Sequence, residues 1–172
     1  MTPTASRQSF APFSTIDMNE QFLREAIRLS VDQLSLGEGG PFGAVVVRSG
    51  EIVGRGWNRV IATKDPTAHA EIVAIRAACQ EVGSFSLDGC EIYCSCEPCP
   101  LCLAAIYWSR LDHIYYAASC DDAAAAGFDD SHFYREIRKP ASQRSIPSEQ
   151  SLRDEALQGF RDWIANPNRI PY

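Results

Sequence analysis

Two short stretches of the chain carry residues that could share one metal ion. Cys99 and Cys102 lie three positions apart, directly after Pro98. Thirty residues before Cys99, His69 and Glu71 place an imidazole and a carboxylate two positions apart. A catalytic zinc takes three protein ligands and keeps a fourth position for water. The spacing therefore predicts a zinc ion held by His69, Cys99 and Cys102, with Glu71 unbound and available to move protons.

Each motif has a simpler interpretation when it is taken alone. Cysteine pairs also occur as small buried hydrophobic residues or as half of a structural zinc site. Cys96 and Cys99 form a second, overlapping C-x-x-C pair, which is typical of redox-active dithiols. A structural zinc site needs a fourth protein ligand, and neither His113 nor His132 has a suitable spacing. The two motifs together favour the catalytic zinc.

Length, composition and charge limit what the chain can be. Its 172 residues, 45% of them hydrophobic, suffice for one domain with a full core. We predict a flexible N-terminal arm at residues 1–18, a folded domain at 19–166 and a C-terminal tail at 167–172. The first residues show no secretory signal pattern, and no apolar run is long enough to span a membrane.

Cysteine usage and net charge indicate the compartment and the partner. Four of the seven cysteines lie between Cys94 and Cys102, which fits metal binding in a reducing compartment, and we predict the cytoplasm. The net charge of −6 disfavours a nucleic-acid partner, because such binding needs a basic surface. A small-molecule substrate is therefore expected.

Hydrophobic periodicity predicts helices that alternate with strands. The predicted helices cover residues 19–36, 68–82, 98–110, 119–126 and 151–164, and the strands cover 43–48, 51–57, 89–94 and 113–118. Ser49 and Gly50 form a hairpin turn, and Thr67 is predicted to cap the second helix. Both halves of the metal site then lie at helix N-termini. The pattern predicts an α/β fold, a three-layer α/β/α sandwich with a mixed central sheet.

Several stretches resemble the cytidine deaminase-like zinc-dependent deaminases. Residues 39–44, 65–71, 95–100 and 105–108 are similar to stretches that occur widely in purine and pyrimidine deaminases, including the H-x-E and P-C-x-x-C signature. Residues 126–131, which contain Gly-Phe-Asp-Asp, and the final Tyr172 are more selective for guanine deaminases. The likeness covers roughly residues 20–140.

The resemblance implies a reaction and its proton carriers. Guanine would be hydrolysed to xanthine and ammonia with one zinc per subunit. Glu71 would pass a proton from water to N3 of the base and help protonate the departing amine. Asp130 would accept a hydrogen bond from the amine or N1 region, with Asp129 as the alternative if the register is off by one.

The resemblance also implies the walls of a base pocket. The Ala70 N–H and the Asn58 amide would hydrogen-bond the purine edge, and Phe42 and Trp108 would be walls. The alternative for Asn58 is an ordinary turn residue after a strand, and aromatic residues such as Trp108 are more often part of a core.

The last residues have two interpretations. Pro167 and Pro171 restrict the backbone before Tyr172, and a frayed terminus is the simplest expectation. In guanine deaminases the C-terminal segment covers the active site, sometimes that of a neighbouring subunit. The resemblance thus implies a homodimer, with a swapped C-terminal segment in which Tyr172 caps the bound base.

Three other functions share these motifs. A guanosine deaminase would differ mainly in the room for a ribose. A tRNA adenosine deaminase would need a basic face, for which the cluster Arg135, Arg138, Lys139 and Arg144 is a weak substitute. A structural zinc protein or a purine-binding protein without activity would have no use for Glu71.

Overall fold

The computed structural model describes residues 18–171. The predicted arm, apart from Met18, and Tyr172 lie outside these residues. The helices are α1 (Glu20–Asp32), α2 (Val60–Thr63), α3 (Ala70–Val82), α4 (Pro100–Trp108), α5 (Cys120–Ala125), α6 (Ser131–Arg138) and α7 (Arg153–Ala165). The strands are β1 (Gly43–Arg48), β2 (Glu51–Trp57), β3 (Cys90–Cys96) and β4 (His113–Ala118), and two short 3-10 helices cover Gln33–Leu36 and Ala141–Gln143.

The four strands form one mixed sheet in the order β2-β1-β3-β4. Strand β1 is antiparallel to β2 and to β3, whereas β3 and β4 are parallel. Ser49 and Gly50 connect β1 to β2 with positive φ angles of 52° and 82°. Positive φ at both central residues is the geometry of a type I′ hairpin, whose twist matches that of the paired strands. The predicted hairpin is confirmed.

Helices cover both faces of this sheet. On one face, Leu29 of α1 packs with Val45 and Tyr93. On the other face, Ala74 of α3 packs with Val46, and α4 contributes to the same core. Val45 and Val46 point to opposite faces because side chains alternate along a strand. The predicted three-layer α/β/α sandwich is confirmed.

A glycine of β2 lets the start of α3 lie directly on the sheet. A Cβ on Gly56 would lie 2.1 Å from the carbonyl oxygen of Ala70, so no larger residue fits without moving the helix. The Arg59 N–H also donates to the Ala68 carbonyl at 2.9 Å. These contacts fix the first turn of α3 against the end of β2.

Helix α3 begins two residues later than predicted and has a different N-cap. Ala70 is its first residue, and His69 holds the N-cap position. Thr67, the predicted cap, instead donates its N–H and its hydroxyl to Asp65 Oδ1, at 2.8 and 2.7 Å. That prediction was wrong because the Asp65 side chain closes a local turn at Thr67.

Helix α4 and strand β3 also differ from their predicted limits. Helix α4 covers Pro100–Trp108, with Cys99 as N-cap and proline at its first position, where a missing N–H costs nothing. Strand β3 continues to Cys96, which pairs with Ala118 of β4. The strand therefore ends three residues before Cys99, close to the predicted metal site.

Some helices were missed or mispredicted in length. The four-residue α2 lies in a segment that was predicted to be a loop, and α6 follows Asp130 where no helix was predicted. Both are too short for hydrophobic periodicity to identify. Helix α1 ends at Asp32 and continues as a 3-10 turn, and α7 begins at Arg153 instead of Ser151. No helix within residues 18–171 is long and apolar enough to cross a membrane.

Candidate metal centre and base cavity

Helices α3 and α4 begin beside each other. His69 and Cys99 are their N-cap residues, and both have extended backbone angles. The first N–H groups of a helix lack intrahelical partners and carry partial positive charge. A thiolate is stabilised in such a position. The predicted meeting of two helix N-termini is confirmed.

Three side chains at this junction are arranged as ligands of one metal ion. His69 Nδ1 lies 3.6 Å from Cys99 Sγ and 3.5 Å from Cys102 Sγ. Around a tetrahedral zinc, with bonds of about 2.0 Å to nitrogen and 2.3 Å to sulfur, neighbouring nitrogen and sulfur ligands are about 3.5 Å apart. The observed separations fit zinc, which would keep a fourth position for water if it were held by these three residues. Within residues 18–171, no second cluster of potential ligands of this kind occurs.

The two cysteines differ in how readily they lose a proton. The hydrogen bond with Cys102 lowers the pKa of Cys99 to about 4, and the contact with His69 acts in the same direction, while burial opposes both. The hydrogen bond with Cys99, and then burial, raise the pKa of Cys102, so this thiol would lose its proton when the metal binds. Cys99 is therefore a thiolate at neutral pH, which is the form that binds zinc.

Glu71 is the second residue of α3 and is not one of the three clustered ligands. It is 7% exposed, and its Oε2 accepts a hydrogen bond from Cys102 Sγ at 3.3 Å. Burial is the main cause that raises the pKa of this carboxyl group above its ordinary value. A carboxyl group with a raised pKa can accept and return a proton near neutral pH.

A cavity of about 530 Å³ opens beside the three ligands. This volume is within the range of small-molecule sites. Six of the predicted site residues line it: Phe42, Asn58, His69, Glu71, Cys99 and Asp130. Cys102 and Ala70 are fully buried and do not line the cavity. The structure therefore brings most of the candidate residues to one cavity.

The two neighbouring aspartates have different surroundings. Asp129 Oδ1 accepts a hydrogen bond from the Ser131 N–H at 2.9 Å, at the start of α6, and hydrogen bonds with Ser131 lower its pKa. Partial burial raises the pKa of Asp130, and the nearby Cys99 thiolate adds to this effect. The Asp129 side chain is therefore already hydrogen-bonded to the local backbone. Asp130 is the better candidate for substrate binding or proton transfer.

Trp108 does not line the cavity, which corrects the prediction that it forms a wall of the base pocket. It ends α4, is 67% exposed and borders a separate apolar depression with Ile75 and Phe85. Nine residues of helical rise, on the order of 13 Å, separate it from Cys99. Tyr172 lies outside the described residues.

Other cavity residues were not assigned from the sequence. Phe128 packs edge-to-face on Phe42, with ring centroids 5.0 Å apart and planes at 86°, so the two rings form one aromatic wall. Glu97 also lines the cavity, and its carboxylate accepts the Cys120 N–H at 3.1 Å at the start of α5. Phe128 belongs to the Gly-Phe-Asp-Asp stretch that was recognised. No spacing signal identified Glu97.

Comparison with known proteins agrees with this geometry. Residues 16–118 match the cytidine and deoxycytidylate deaminase zinc-binding region. The chain is 50% identical to guanine deaminase from Bacillus subtilis over 154 residues, which cover 90% of this chain and 99% of that protein. The X-ray structure of the Bacillus subtilis enzyme matches with a TM-score of 0.87 at 51% identity, over 90% of this chain and 99% of that one.

Two further proteins are similar over less of their length or at lower identity. A protein solved in complex with 2,6-diaminopurine is 30% identical, with a TM-score of 0.62, over 89% of this chain and 84% of that one. The tRNA-specific adenosine deaminase of Aquifex aeolicus is 41% identical over 99 residues, which cover 58% of this chain and 65% of that protein. The cluster of His69, Cys99 and Cys102 fits one zinc ion per subunit, as expected for this zinc-binding family. The chain therefore belongs to the cytidine and deoxycytidylate deaminase zinc-binding family and is similar over most of its length to a guanine deaminase.

Proposed function

We propose that the chain catalyses the hydrolysis of guanine to xanthine and ammonia. The observation that carries this proposal is a cluster of three potential zinc ligands beside the buried Glu71, in a cavity large enough for a purine. The 50% identity to a guanine deaminase over 90% of the chain selects guanine among the possible amino-substituted bases.

Glu71 is the proton carrier of the proposed reaction. When zinc is bound, it supplies a water molecule whose pKa is lowered to about 7. Glu71 takes a proton from the attacking water and delivers it to N3 while the water oxygen bonds to C2 of guanine. Glu71 then takes the proton of the new C2 hydroxyl group and passes it to the amino group on C2, so that the C2–N bond breaks as the C2 carbonyl forms. Guanine and water thus give xanthine and ammonia without any change of oxidation state.

The cavity walls would hold the base in position. Phe42 and Phe128 present aromatic surface to a planar ring. As the first residue of α3, Ala70 has a backbone N–H without an intrahelical acceptor, which can bond the edge of a base. The amide of Asn58 lies on the same cavity and can bond that edge as well.

Asp130 would accept a hydrogen bond from the amine or N1 region of guanine and carry a proton to the leaving ammonia. We expect Asp130→Ala to lower kcat/KM for guanine by roughly 10²-fold, as expected for the loss of one proton-transfer group, with little effect on thermal unfolding. Asp129→Ala is the matched control, and we expect a smaller loss because that side chain bonds the Ser131 backbone. If Asp129→Ala were inactive and Asp130→Ala had normal activity, the roles assigned to the two aspartates would have to be exchanged.

Alternative substrates are less well supported. A tRNA substrate would need a basic surface, and the chain carries a net charge of −6. Part of the small basic cluster is already engaged, since Lys139 pairs with Glu136 and Arg135 donates to Ser131. Guanosine remains the second candidate, since it presents the same base. A protein that only binds zinc or purines has no need for the buried Glu71.

A substrate panel tests the proposal. The purified, zinc-loaded protein is incubated separately with guanine, guanosine, adenine, cytosine and cytidine, and ammonia is measured. We expect release from guanine at the highest kcat/KM. Faster release from guanosine would reassign the substrate, and zinc-loaded protein that releases ammonia from none of the five would reject the reaction.

We also propose that two copies of the chain form a homodimer. Helix α7 has no buried residue, and its Phe160 and Ile164 are each 66% exposed. Tyr107 of α4 is 74% exposed. Large apolar side chains that stay exposed on a helix without buried residues are a candidate interaction site. A second copy that exchanges its C-terminal segment would cover it, and sedimentation analysis should give twice the mass of one chain.

In that dimer the tail carrying Tyr172 would close the base cavity. We expect deletion of residues 168–172 to lower kcat/KM for guanine by about tenfold or more while zinc content stays unchanged, because a lid acts only on bound substrate. Unchanged kinetics of the truncated protein would contradict the proposed lid. A crosslink between this tail and the cavity of a second subunit would support the exchange of segments.

The compartment proposed for this enzyme is the cytoplasm. All seven cysteines lie within residues 18–171, and all are free thiols in the structure. Thiols in this number persist where the environment is reducing. A small purine substrate and no nucleic-acid or membrane partner are proposed for this setting.

A further inference from the structure

The turn at residues 38–40 lies against the end of β2, where Asn58 begins the next segment. We propose that Glu38 and Gly39 are positioning residues that fix the Asn58 amide at the edge of the base cavity. Both act through Asn58 and not on the reacting atoms. This inference rests on the proposed binding of a purine in that cavity.

Glu38 holds the chain on both sides of Asn58. Its Oε2 accepts hydrogen bonds from Trp57 Nε1 at 2.6 Å and from Arg59 Nε at 3.2 Å. Its backbone carbonyl accepts the N–H of Ile61 at 3.0 Å and that of the following residue at 3.1 Å. The Glu38 side chain is 23% exposed, so water only partly competes for these bonds. One residue thus fixes the segment that precedes Asn58 and the one that follows it.

Gly39 packs directly against Asn58 and leaves no space for a side chain. A Cβ on Gly39 would lie 2.1 Å from Asn58 Oδ1 and 2.4 Å from its backbone oxygen. A backbone oxygen cannot turn aside as the end of a flexible side chain can. Any larger residue at position 39 must therefore displace Asn58 itself. Glycine is required here because there is no space for a Cβ atom. The φ angle of Gly39 is one that other residues adopt readily.

The remaining contacts of Asn58 orient its amide. Its N–H donates to the Phe42 carbonyl at 3.0 Å, and its Oδ1 accepts the Val60 N–H at 3.2 Å. With the oxygen engaged in this way, the NH2 group is the donor that remains for an acceptor on the base. Asn58 is 8% exposed and so is held rigidly before any ligand arrives. A misplacement of about 1 Å in such a group can cost on the order of 10²-fold in rate.

A double-mutant cycle tests this assignment through binding alone. Calorimetry measures 2,6-diaminopurine binding to zinc-loaded protein carrying Glu71→Gln, which blocks turnover. Glu38→Ala, Asn58→Ala and the double variant are compared. If Glu38 acts through Asn58, Glu38→Ala should weaken binding by about tenfold alone and by less than about twofold once Asn58 is alanine, since coupled residues are not additive.

Two further variants separate positioning from general destabilisation. Glu25→Ala is the matched control, because Glu25 also bonds two partners, Arg28 and Arg55, and its side chain is 20% exposed. It should leave binding unchanged. Gly39→Ala should weaken binding at least as much as Glu38→Ala. In enzyme that retains Glu71, it should raise KM for guanine more than it lowers kcat.

The outcomes distinguish this inference from the proposed reaction. Additive losses in the cycle, or normal binding by Glu38→Ala, would overturn the positioning role. The positioning role would stand and the reaction would be rejected if binding showed the coupling but zinc-loaded protein that retains Glu71 did not turn over guanine. If the zinc-loaded chain bound no purine, both would be overturned.

Discussion

Glu71→Gln should leave the zinc content unchanged and lower guanine turnover by up to about 10⁴-fold, the upper end for general acid–base catalysis. The amide preserves the shape of the side chain but can neither accept nor return the proton. A large loss is expected because the same carboxyl group acts in more than one step. Steady-state kinetics on protein of verified zinc content measures the effect.

Glu81→Gln is the control for this substitution. Glu81 lies on the same helix α3 but is exposed near its other end, so its loss should not change turnover. Near-normal activity of folded, zinc-loaded Glu71→Gln would contradict the proton-carrier role. The reaction would then need another carboxyl group, and Asp130 would be the first to test because it also lines the cavity.

Cys99→Ala should lose most of its zinc and, with it, all measurable activity. Cys99 is the thiolate of the triad, with its pKa lowered to about 4 by the hydrogen bond with Cys102 and by His69. Without it, two ligands remain, and a zinc site normally has at least three. Elemental analysis after dialysis gives the metal content per chain, which should fall from one towards zero.

Cys79→Ala is the matched control. Cys79 is a half-buried thiol of α3 that packs against the core and does not line the cavity. It should keep one zinc per chain. Full zinc retention by Cys99→Ala would move the ligand role to another thiol. Cys96 would be tested next, although it donates to the Ser119 carbonyl at 3.4 Å in the structure.

The metal site could be predicted from sequence because its geometry depends on local spacing. Cys99 and Cys102 are the N-cap and the third residue of one helix, so their separation follows from helix geometry. His69 and Glu71 straddle the first residue of another helix. The alternation of strands and helices similarly predicted three layers. The start of α3 was predicted two residues too early, because the Asp65 side chain engages Thr67 in a local turn.

The remainder of the site depends on contacts between distant segments. Phe128 meets Phe42 across 86 residues, and Glu38 meets Trp57 across 19 residues. No periodicity encodes such pairs. Trp108 was wrongly assigned to the base pocket because a shared motif does not give the distance between the metal site and the far end of helix α4.

The most direct test of the account follows the oxygen atom during guanine hydrolysis. Zinc-loaded protein is incubated with guanine in ¹⁸O-labelled water, and the products are analysed by mass spectrometry with a parallel ammonia assay. We expect xanthine with one ¹⁸O at C2 and one ammonia for each guanine consumed. Recovery of unchanged guanine, or release of ammonia without labelled xanthine, would contradict the proposed hydrolysis at C2.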